Sequence, residues 1–333
     1  MHATPAKQGG FRLFVFLSLA AVVAFILMGG QDIAKNIPNS LSKSVPASVS
    51  DLSLSRWRTS KATSVASTPK SRPDTLVVYA YYEDDDKLGL RNANFFIEHG
   101  LHASADFIFI LQGEAPNLRH SIPNEPNIRV IQRDNTCMDL GAYGEVFRAE
   151  PELATRYKKF IFLNASVRGP FLPMWSEACW TNAFTSRLSE TTKLVSMSGH
   201  CMFNIFQMQS MAFATDPQGL SVFLEEDTFA CTDDHQEAIT HEVHMAEKFW
   251  TKHGWESYGL LTALHGDPSY ADTHACKSTD QNEDHMFNNG YYGFNVHPFE
   301  SIFTKMNRDI NPEMMDKFTS WFDRMQYSSY DHC

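Results

Sequence analysis

Two polar segments follow predicted strands and carry the side chains best suited to chemistry. The first runs from Asp134 to Gly144 and places Asp139 beside Gly141. Glycines next to a carboxylate, where a strand ends and a helix begins, can arrange backbone N–H groups and one anion around a polar ligand. The pattern therefore predicts a binding loop that includes Asn135, Asp139 and Gly141. The alternative is an ordinary strand-to-helix turn in which Asp139 caps the helix.

The second segment, Asn164 to Arg168, ends a strand that is otherwise apolar. Amide and hydroxyl groups can hydrogen-bond a ligand, and an arginine can bind a phosphate group through two parallel hydrogen bonds. We therefore predict that Asn164, Ser166 and Arg168 bind the same ligand as Asp139. Asn164-Ala-Ser166 is also an N-glycosylation sequence, but a used site must be exposed and this one directly follows a buried strand.

Strands that alternate with helices must position these segments. The predicted strands are 75–82, 106–111, 127–133, 159–163, 193–196 and 209–215. One predicted helix begins at the acidic residues after the first strand and ends at residue 99, and the others cover 141–150, 217–224 and 239–253. This alternation predicts an α/β fold, a Rossmann-type mixed sheet flanked by helices. Ligands of such sheets bind beyond the carboxyl ends of the strands, so the loops after Tyr82, Arg133 and Leu163 are the ones that matter.

The charge of the chain excludes nucleic acid as an expected partner. The 333 residues contain 28 Lys and Arg against 39 Asp and Glu, and the acidic excess lies in residues 74–333 because residues 1–73 are net basic. An acidic domain repels a phosphate backbone. The six cysteines show no C-x-x-C spacing, which disfavours a zinc ribbon or a thioredoxin-type site, but they could form disulfides in an oxidising compartment.

The amino-terminal residues predict a membrane anchor followed by a stem. Residues 11–30 are almost entirely apolar and would span about 30 Å as a helix. Lys7 and Arg12 precede most of this stretch, so the positive-inside rule predicts a cytosolic tail at 1–10, with a cleaved signal peptide as the alternative. Residues 31–73 are rich in Ser, Thr and Pro, which is typical of a flexible stem.

This layout is that of a single-pass type II membrane protein of the Golgi. Residues 74–310 are then the luminal domain, and residues 311–333 form a C-terminal tail. The sequence does not predict the oligomeric state.

A set of motifs between residues 75 and 305 allows a comparison with a known group of proteins. These motifs are Tyr81 to Asp84, Phe107 to Gly113, Asn135 to Gly144, Phe160 to Phe171, Trp180 to Thr185, Gln209 to Asp216 and His297 to Phe303. Together they resemble a eukaryotic group of predicted glycosyltransferases that is distantly similar to the bacterial rhamnan-synthesis F proteins. The resemblance implies a GT-A-like fold with a nucleotide-sugar donor at the carboxyl edge of the sheet and a glycan or glycoprotein acceptor.

The resemblance implies donor contacts from eight residues: Tyr82, Glu83, Asn135, Asp139, Gly141, Asn164, Ser166 and Arg168. The acidic run from Glu83 to Asp86 could approach the ribose or the base, with a solvated helix start as the alternative. The transferred sugar would be a hexose or a deoxyhexose.

The sequence departs from the GT-A pattern at the usual metal site. GT-A enzymes usually carry Asp-x-Asp after the fourth strand, where two carboxylates hold Mn²⁺ or Mg²⁺ against the donor diphosphate. Here that position reads Asn164-Ala165-Ser166, whose neutral oxygens bind a divalent ion less tightly. Either a metal is held elsewhere, with Asp139 and His244 as candidates, or Arg168 and backbone donors neutralise the diphosphate, or the protein is not a catalyst.

Inverting glycosyl transfer needs a carboxylate that removes the acceptor hydroxyl proton. Glu242 lies where inverting GT-A enzymes often place this base, and Asp139 is the second candidate; a surface glutamate is the alternative for Glu242. His241 and His244 have i, i+3 spacing rather than the i, i+4 spacing of zinc proteases. A non-catalytic carbohydrate-binding or scaffold protein is the rival function, and no pair of carboxylates stands out for a glycoside hydrolase.

Overall fold

A seven-stranded sheet lies at the centre of the computed structural model, which describes residues 72–202, 204–270, 272, 276 and 284–333. The strands in chain order are β1 (Thr75–Tyr82), β2 (Asp106–Gln112), β3 (Ile128–Arg133), β4 (Lys159–Asn164), β5 (Val167–Arg168), β6 (Thr192–Ser196), β7 (Gly199–Met202), β8 (Ile205–Met208), β9 (Ala212–Thr215), β10 (Glu256–Gly259) and β11 (Thr304–Lys305). The central sheet has the order β10-β6-β9-β4-β1-β2-β3, while β5 pairs with β11 and β7 with β8.

Most neighbours in the central sheet are parallel, and β9 is the exception. It runs antiparallel to both β4 and β6, whereas β1 is parallel to β2 and β4. Seven of the eight residues of β1 are buried. A parallel strand covered on both faces has a continuous apolar sequence, which is why this run of β-branched and aromatic residues forms the centre of the sheet.

Helices cover the sheet. They are α1 (Leu88–Gly100), α2 (Pro116–Arg119), α3 (Asp139–Ala149), α4 (Glu152–Arg156), α5 (Trp180–Thr185), α6 (Pro217–Glu225), α7 (His235–Val243), α8 (Met245–His253), α9 (Ala263–Gly266), α10 (Pro298–Ser301) and α11 (Pro312–Met325), with short 3₁₀ turns at Pro268–Tyr270 and Ser329–Asp331. The predicted mixed α/β sheet with flanking helices is therefore confirmed.

The register of the parallel strands brings their carboxyl ends to one edge. Ala80 of β1 pairs with Asn164 of β4, Tyr82 pairs with Gln112 of β2, and Gln112 pairs with Arg133 of β3. Each of these residues stands at or near the end of its strand. The loops that follow β1, β3 and β4 therefore meet at the same edge of the sheet.

The last residues of the chain belong to the same compact unit as the sheet. Helix α11 buries Met315, Phe318 and Phe322. Cys333 forms a disulfide with Cys179. The residues predicted as a C-terminal tail, 311–333, therefore pack against the core through these apolar side chains.

All six cysteines are paired, as Cys137–Cys231, Cys179–Cys333 and Cys201–Cys276. These disulfides close loops of 94, 154 and 75 residues, so they connect segments that are distant in the chain.

Two predicted elements differ from the structure. The single helix expected at 239–253 is two helices, α7 and α8, that meet at His244. The strand expected at 209–215 begins later, at Ala212, and a hairpin of β7 and β8 precedes it.

The predicted cytosolic tail, the anchor at 11–30 and the stem up to residue 71 lie outside the described residues. Within the described part of the chain, no helix is both long enough and apolar enough to cross a membrane.

Candidate functional site

A cavity of about 510 Å³ opens at the carboxyl edge of the sheet. Its walls come from the ends of β1, β2 and β4, the loop before α3, and β11 with the residues that follow it. The polar residues and Gly89 that line it are Tyr81, Tyr82, Asp84, Asp86, Gly89, Gln112, Asn135, Asp139, Asn164, Ser166, Lys305 and Asn307. The structure therefore brings together five of the predicted donor-site residues: Tyr82, Asn135, Asp139, Asn164 and Ser166.

A continuous chain of hydrogen bonds crosses this cavity. The Asn164 side-chain amide donates to a carboxylate oxygen of Asp139. The side-chain oxygen of Asn164, Oδ1, accepts from the backbone N–H of Ser166 at 3.1 Å and also from the Ser166 hydroxyl. The Ser166 hydroxyl in turn accepts from Nζ of Lys305 at 3.0 Å. An anion and a cation are thus connected through two neutral side chains.

Buried contacts fix the turn that carries Asn164. The Tyr143 hydroxyl on α3 donates to the carbonyl oxygen of Leu163 at 2.7 Å, and both groups are buried. The backbone N–H of Asn164 donates to Met211 at 3.2 Å, and that of Ala165 donates to Ala80 at 3.2 Å. Neighbouring elements on both sides of β4 therefore hold this turn.

Arg168 does not enter the cavity, which corrects the prediction that it binds phosphate. Its side chain is only 1% exposed, and burial lowers its pKa to about 10. Its Nε donates to the Asn92 side chain at 3.0 Å, and one terminal nitrogen donates to the Thr319 hydroxyl at 3.1 Å. Asn92 also donates to the carbonyl oxygen of Ala165 at 2.8 Å. Arg168 therefore braces the Asn164–Ser166 turn from behind.

Three further predicted residues lie outside the cavity lining. Glu83 accepts hydrogen bonds from the backbone and the side chain of Asn117. A Cβ at Gly141 would lie 2.8 Å from the Ala230 carbonyl oxygen, so this glycine permits close packing of α3. Nδ1 of His244 lies 2.6 Å from Glu247. None of the three lines the cavity that contains Asp139.

Glu242 lies near the cavity without lining it. Its carboxylate accepts from the backbone N–H of Ser210 at 2.8 Å. Burial raises its pKa, and among charged groups Lys305 lowers it whereas Asp139 raises it. Ser210 directly precedes Met211, whose carbonyl oxygen accepts from the Asn164 N–H, so Glu242 lies close to the turn that follows β4.

Lys305 is the functional candidate that the sequence did not reveal. It lies on β11, which pairs antiparallel with β5 and sets Lys305 opposite Val167. Burial lowers its pKa, while the carboxylates of Glu242, Asp139 and Asp284 oppose that effect and Arg308 adds to it. A lone lysine after a short apolar run does not indicate from the sequence that it lines a cavity formed by distant residues. Only the pairing of two distant strands brings it here.

Acidic side chains form another part of the lining. Asp84 and Asp86, from the run that follows β1, both line the cavity. Burial and then the charge of Asp86 raise the pKa of Asp84. These carboxylates can accept hydrogen bonds from hydroxyl groups of a ligand.

The residues at the end of β4 do not fit a divalent metal ion. The side-chain oxygen of Asn164 already accepts a hydrogen bond from the Ser166 hydroxyl. That hydroxyl in turn accepts from the Lys305 ammonium. Mn²⁺ and Mg²⁺ favour carboxylate oxygens, and a neighbouring ammonium repels a cation. Asp139 supplies one carboxylate, but one oxygen accepts from the Leu140 N–H and the other from Asn164.

A larger groove of about 940 Å³ lies elsewhere, between the segment after residue 171 and α11. Its lining is mainly apolar and aromatic, with Trp175, Phe299 and Trp321 among its residues. The Glu300 carboxylate in it already accepts from the Thr262 N–H and the Tyr291 hydroxyl. Because the lining of this groove is mainly apolar and its carboxylate is engaged in this way, the smaller cavity is the better candidate for chemistry.

No family model matches the chain, and no curated protein matches its sequence. Among solved structures, the chain is similar to the mannosyltransferase PcManGT from Pyrobaculum calidifontis in complex with GDP-Man and Mn²⁺, with 14% identity and a TM-score of 0.40. That match covers 59% of this chain and 57% of the mannosyltransferase, so it spans little more than half of the neighbour.

The chain is also similar to an active-site mutant of LgtC, with 12% identity, a TM-score of 0.37, and coverage of 75% of this chain and 95% of that one. Both identities and both TM-scores are too low to show an activity for this chain. The predicted grouping with the rhamnan-synthesis F proteins is not shown by these comparisons.

Proposed function

We propose that this protein is a glycosyltransferase that moves a sugar from a nucleotide-sugar donor to a glycan or glycoprotein acceptor. The observation that carries the proposal is the hydrogen-bonded chain from Asp139 through Asn164 and Ser166 to Lys305, at the edge of a parallel-rich sheet where ligands of α/β folds bind. The cavity offers hydrogen-bond acceptors for sugar hydroxyls and a cation for phosphate.

Glu242 is the candidate base of the proposed reaction, with Asp139 as the second candidate. The acceptor oxygen would bond to the anomeric carbon as the bond from that carbon to the diphosphate breaks and its electron pair leaves with the diphosphate. The acceptor proton would pass to the carboxylate. Burial raises the pKa of Glu242, which makes it a stronger proton acceptor than an exposed glutamate. The Ser210 N–H orients this carboxylate.

We further propose that the domain acts in the Golgi lumen, anchored through residues 11–30 as a type II protein. The apolar amino-terminal segment supports this proposal. Pairing of every cysteine also supports it, because disulfides persist in oxidising compartments such as the secretory pathway.

A non-catalytic carbohydrate-binding protein is the second candidate function. It is favoured by one observation, the amide and hydroxyl of Asn164 and Ser166 where a GT-A enzyme usually has two carboxylates. Such a protein would bind sugars through the same cavity without any need for Glu242.

Titration of the full-length protein in detergent with UDP- and GDP-sugars, with and without Mn²⁺, tests the proposal by thermal shift and calorimetry. We expect at least one donor to bind, and Asn164→Ala to weaken that binding. Asn182→Ala on the exposed side of α5 is the matched control and should bind normally. Binding of free glycans without any nucleotide sugar would instead support the non-catalytic function.

A further inference from the structure

Lys305 has hydrogen-bonding capacity that the described residues do not use. An ammonium group carries three N–H donors. Among the described residues, the Ser166 hydroxyl is the one hydrogen-bond partner of Nζ, at 3.0 Å, and no described carboxylate forms an ion pair with it. Withdrawing an ammonium group from water costs free energy unless polar groups compensate its charge. Lys305 lines the cavity, so its remaining donors are available to a ligand there.

Backbone pairing fixes the position of this ammonium. Lys305 pairs with Val167, and the next residue, Met306, donates its N–H to the Ser166 carbonyl oxygen at 2.8 Å. The β11 strand is thus attached directly to the turn that follows β4. A cation held on this strand stays beside the Asn164–Ser166 turn without depending on a mobile loop.

The location of the ammonium coincides with the place where positive charge is needed. A leaving diphosphate gains negative charge as the bond to the sugar breaks, and a preorganised cation or donor lowers that barrier. At the end of β4 the neutral side chains of Asn164 and Ser166 do not fit a divalent ion, and the ammonium lies beside them.

We propose that Lys305, rather than a divalent metal ion bound at the end of β4, contacts and neutralises the donor diphosphate. This inference rests on the proposed glycosyl transfer and names the group that would stabilise its leaving group. Lys305 donates hydrogen bonds to the departing oxygen and keeps its own protons, while the acceptor proton goes to the carboxylate base. The chemical class recognised by this lysine is a nucleoside diphosphate.

The test uses UDP and GDP as probes of the full-length protein in detergent, by calorimetry, in EDTA and in Mn²⁺. We expect one of them to bind in EDTA, and more tightly than the matching monophosphate. Lys305→Gln should weaken that binding by roughly 10- to 100-fold, the effect of losing a hydrogen bond to a charged group. Lys305→Arg should restore part of it.

Lys158→Gln is the matched control, because Lys158 is exposed and lies at the opposite, amino-terminal end of β4. Should Lys305→Gln fail to fold, the comparison of EDTA with Mn²⁺ on the unaltered protein still decides the matter. Binding that requires Mn²⁺ would overturn the inference and leave the proposed function standing. Failure of every nucleotide and nucleotide sugar to bind, with or without metal, would overturn both.

Discussion

Arg168 and Asn92 form a buried hydrogen bond of 3.0 Å, and the Asn92 amide donates a second hydrogen bond to the carbonyl oxygen of Ala165. A guanidinium that the sequence suggested for phosphate binding thus acts as a structural brace behind the cavity. Its second partner, Thr319, lies on α11, so the brace also connects the C-terminal helix to the turn after β4.

Replacement of Arg168 by Met should destabilise the folded protein by about 3 kcal/mol, because it removes charged hydrogen bonds from a buried site. Urea unfolding measures this loss. Arg91→Met is the control, since its pair with Asp316 joins two exposed side chains and should contribute at most about 1 kcal/mol. Equal losses for the two variants would contradict the bracing role.

Replacement of Tyr143 by Phe should cost about 1 kcal/mol, because the buried Leu163 carbonyl oxygen loses the donor that fixes the end of β4. Tyr330→Phe removes a similar 2.8 Å hydrogen bond to Glu125 at an exposed position and should cost less. Chemical unfolding of both variants provides the comparison. If Tyr330→Phe proved the more damaging of the two, the positioning of Asn164 by Tyr143 would lose its support.

Glu242→Gln should leave donor binding intact and reduce turnover by about 10²- to 10⁴-fold, the usual contribution of a general base. The amide oxygen of Gln can still accept from the Ser210 N–H, so the local structure should survive. Steady-state assays with whichever nucleotide sugar the proposed titration shows to bind measure the change. Glu190→Gln, at an exposed position, is the control and should retain full turnover. Unchanged turnover in Glu242→Gln would remove Glu242 from the mechanism.

The same substitution should change how stability depends on pH. Burial raises the pKa of Glu242 in the folded protein, so the folded state binds its proton more tightly than the unfolded state does. This stabilising contribution is complete below the unfolded pKa and is lost as pH rises through the folded pKa. Unfolding measured from about pH 4 to about pH 8 should therefore show Glu242→Gln gaining stability relative to the unaltered protein as pH rises. A constant difference across this range would contradict the burial effect.

Two of the three disulfides should separate stability from binding. Cys137 lines the cavity and is bonded to Cys231, whereas Cys179–Cys333 secures the end of the chain. Replacing either pair by Ser should cost about 2–5 kcal/mol. Only loss of Cys137–Cys231 should also weaken donor affinity, and thermal unfolding with calorimetry on both variants tests this. Equal effects on affinity would show that Cys137 has no special relation to the site.

The central strands could be predicted because their residue types and flanking residues favour buried strands. β1 is predicted at 75–82 and is found there, since a run of eight mostly β-branched and aromatic residues between Pro73 and an acidic cluster favours a buried strand. The convergence of Asp139 and Asn164 could be predicted as well, because parallel strands end at a common edge. Local patterning determines both features.

Features that depend on distant pairing could not be predicted. Lys305 and Ser166 are separated by 139 positions, and only the pairing of β11 with β5 joins them. Arg168 was assigned to the ligand because a two-residue strand gives no periodicity from which to tell its buried face. Similarly, Asp234 caps α7 and sets its start, but no glycine or proline in residues 239–253 marks the break before α8.

The chain order of the cavity has a consequence for biosynthesis. Asp139 and Asn164 are translated in the first half of the protein, whereas Lys305 leaves the ribosome only after β1 to β10 have emerged. Every strand of the central sheet is therefore synthesised before the wall of the cavity that carries Lys305. A chain that stops before residue 304 would contain Asp139 and Asn164 but not this cation, and under the proposed function it should bind the donor weakly.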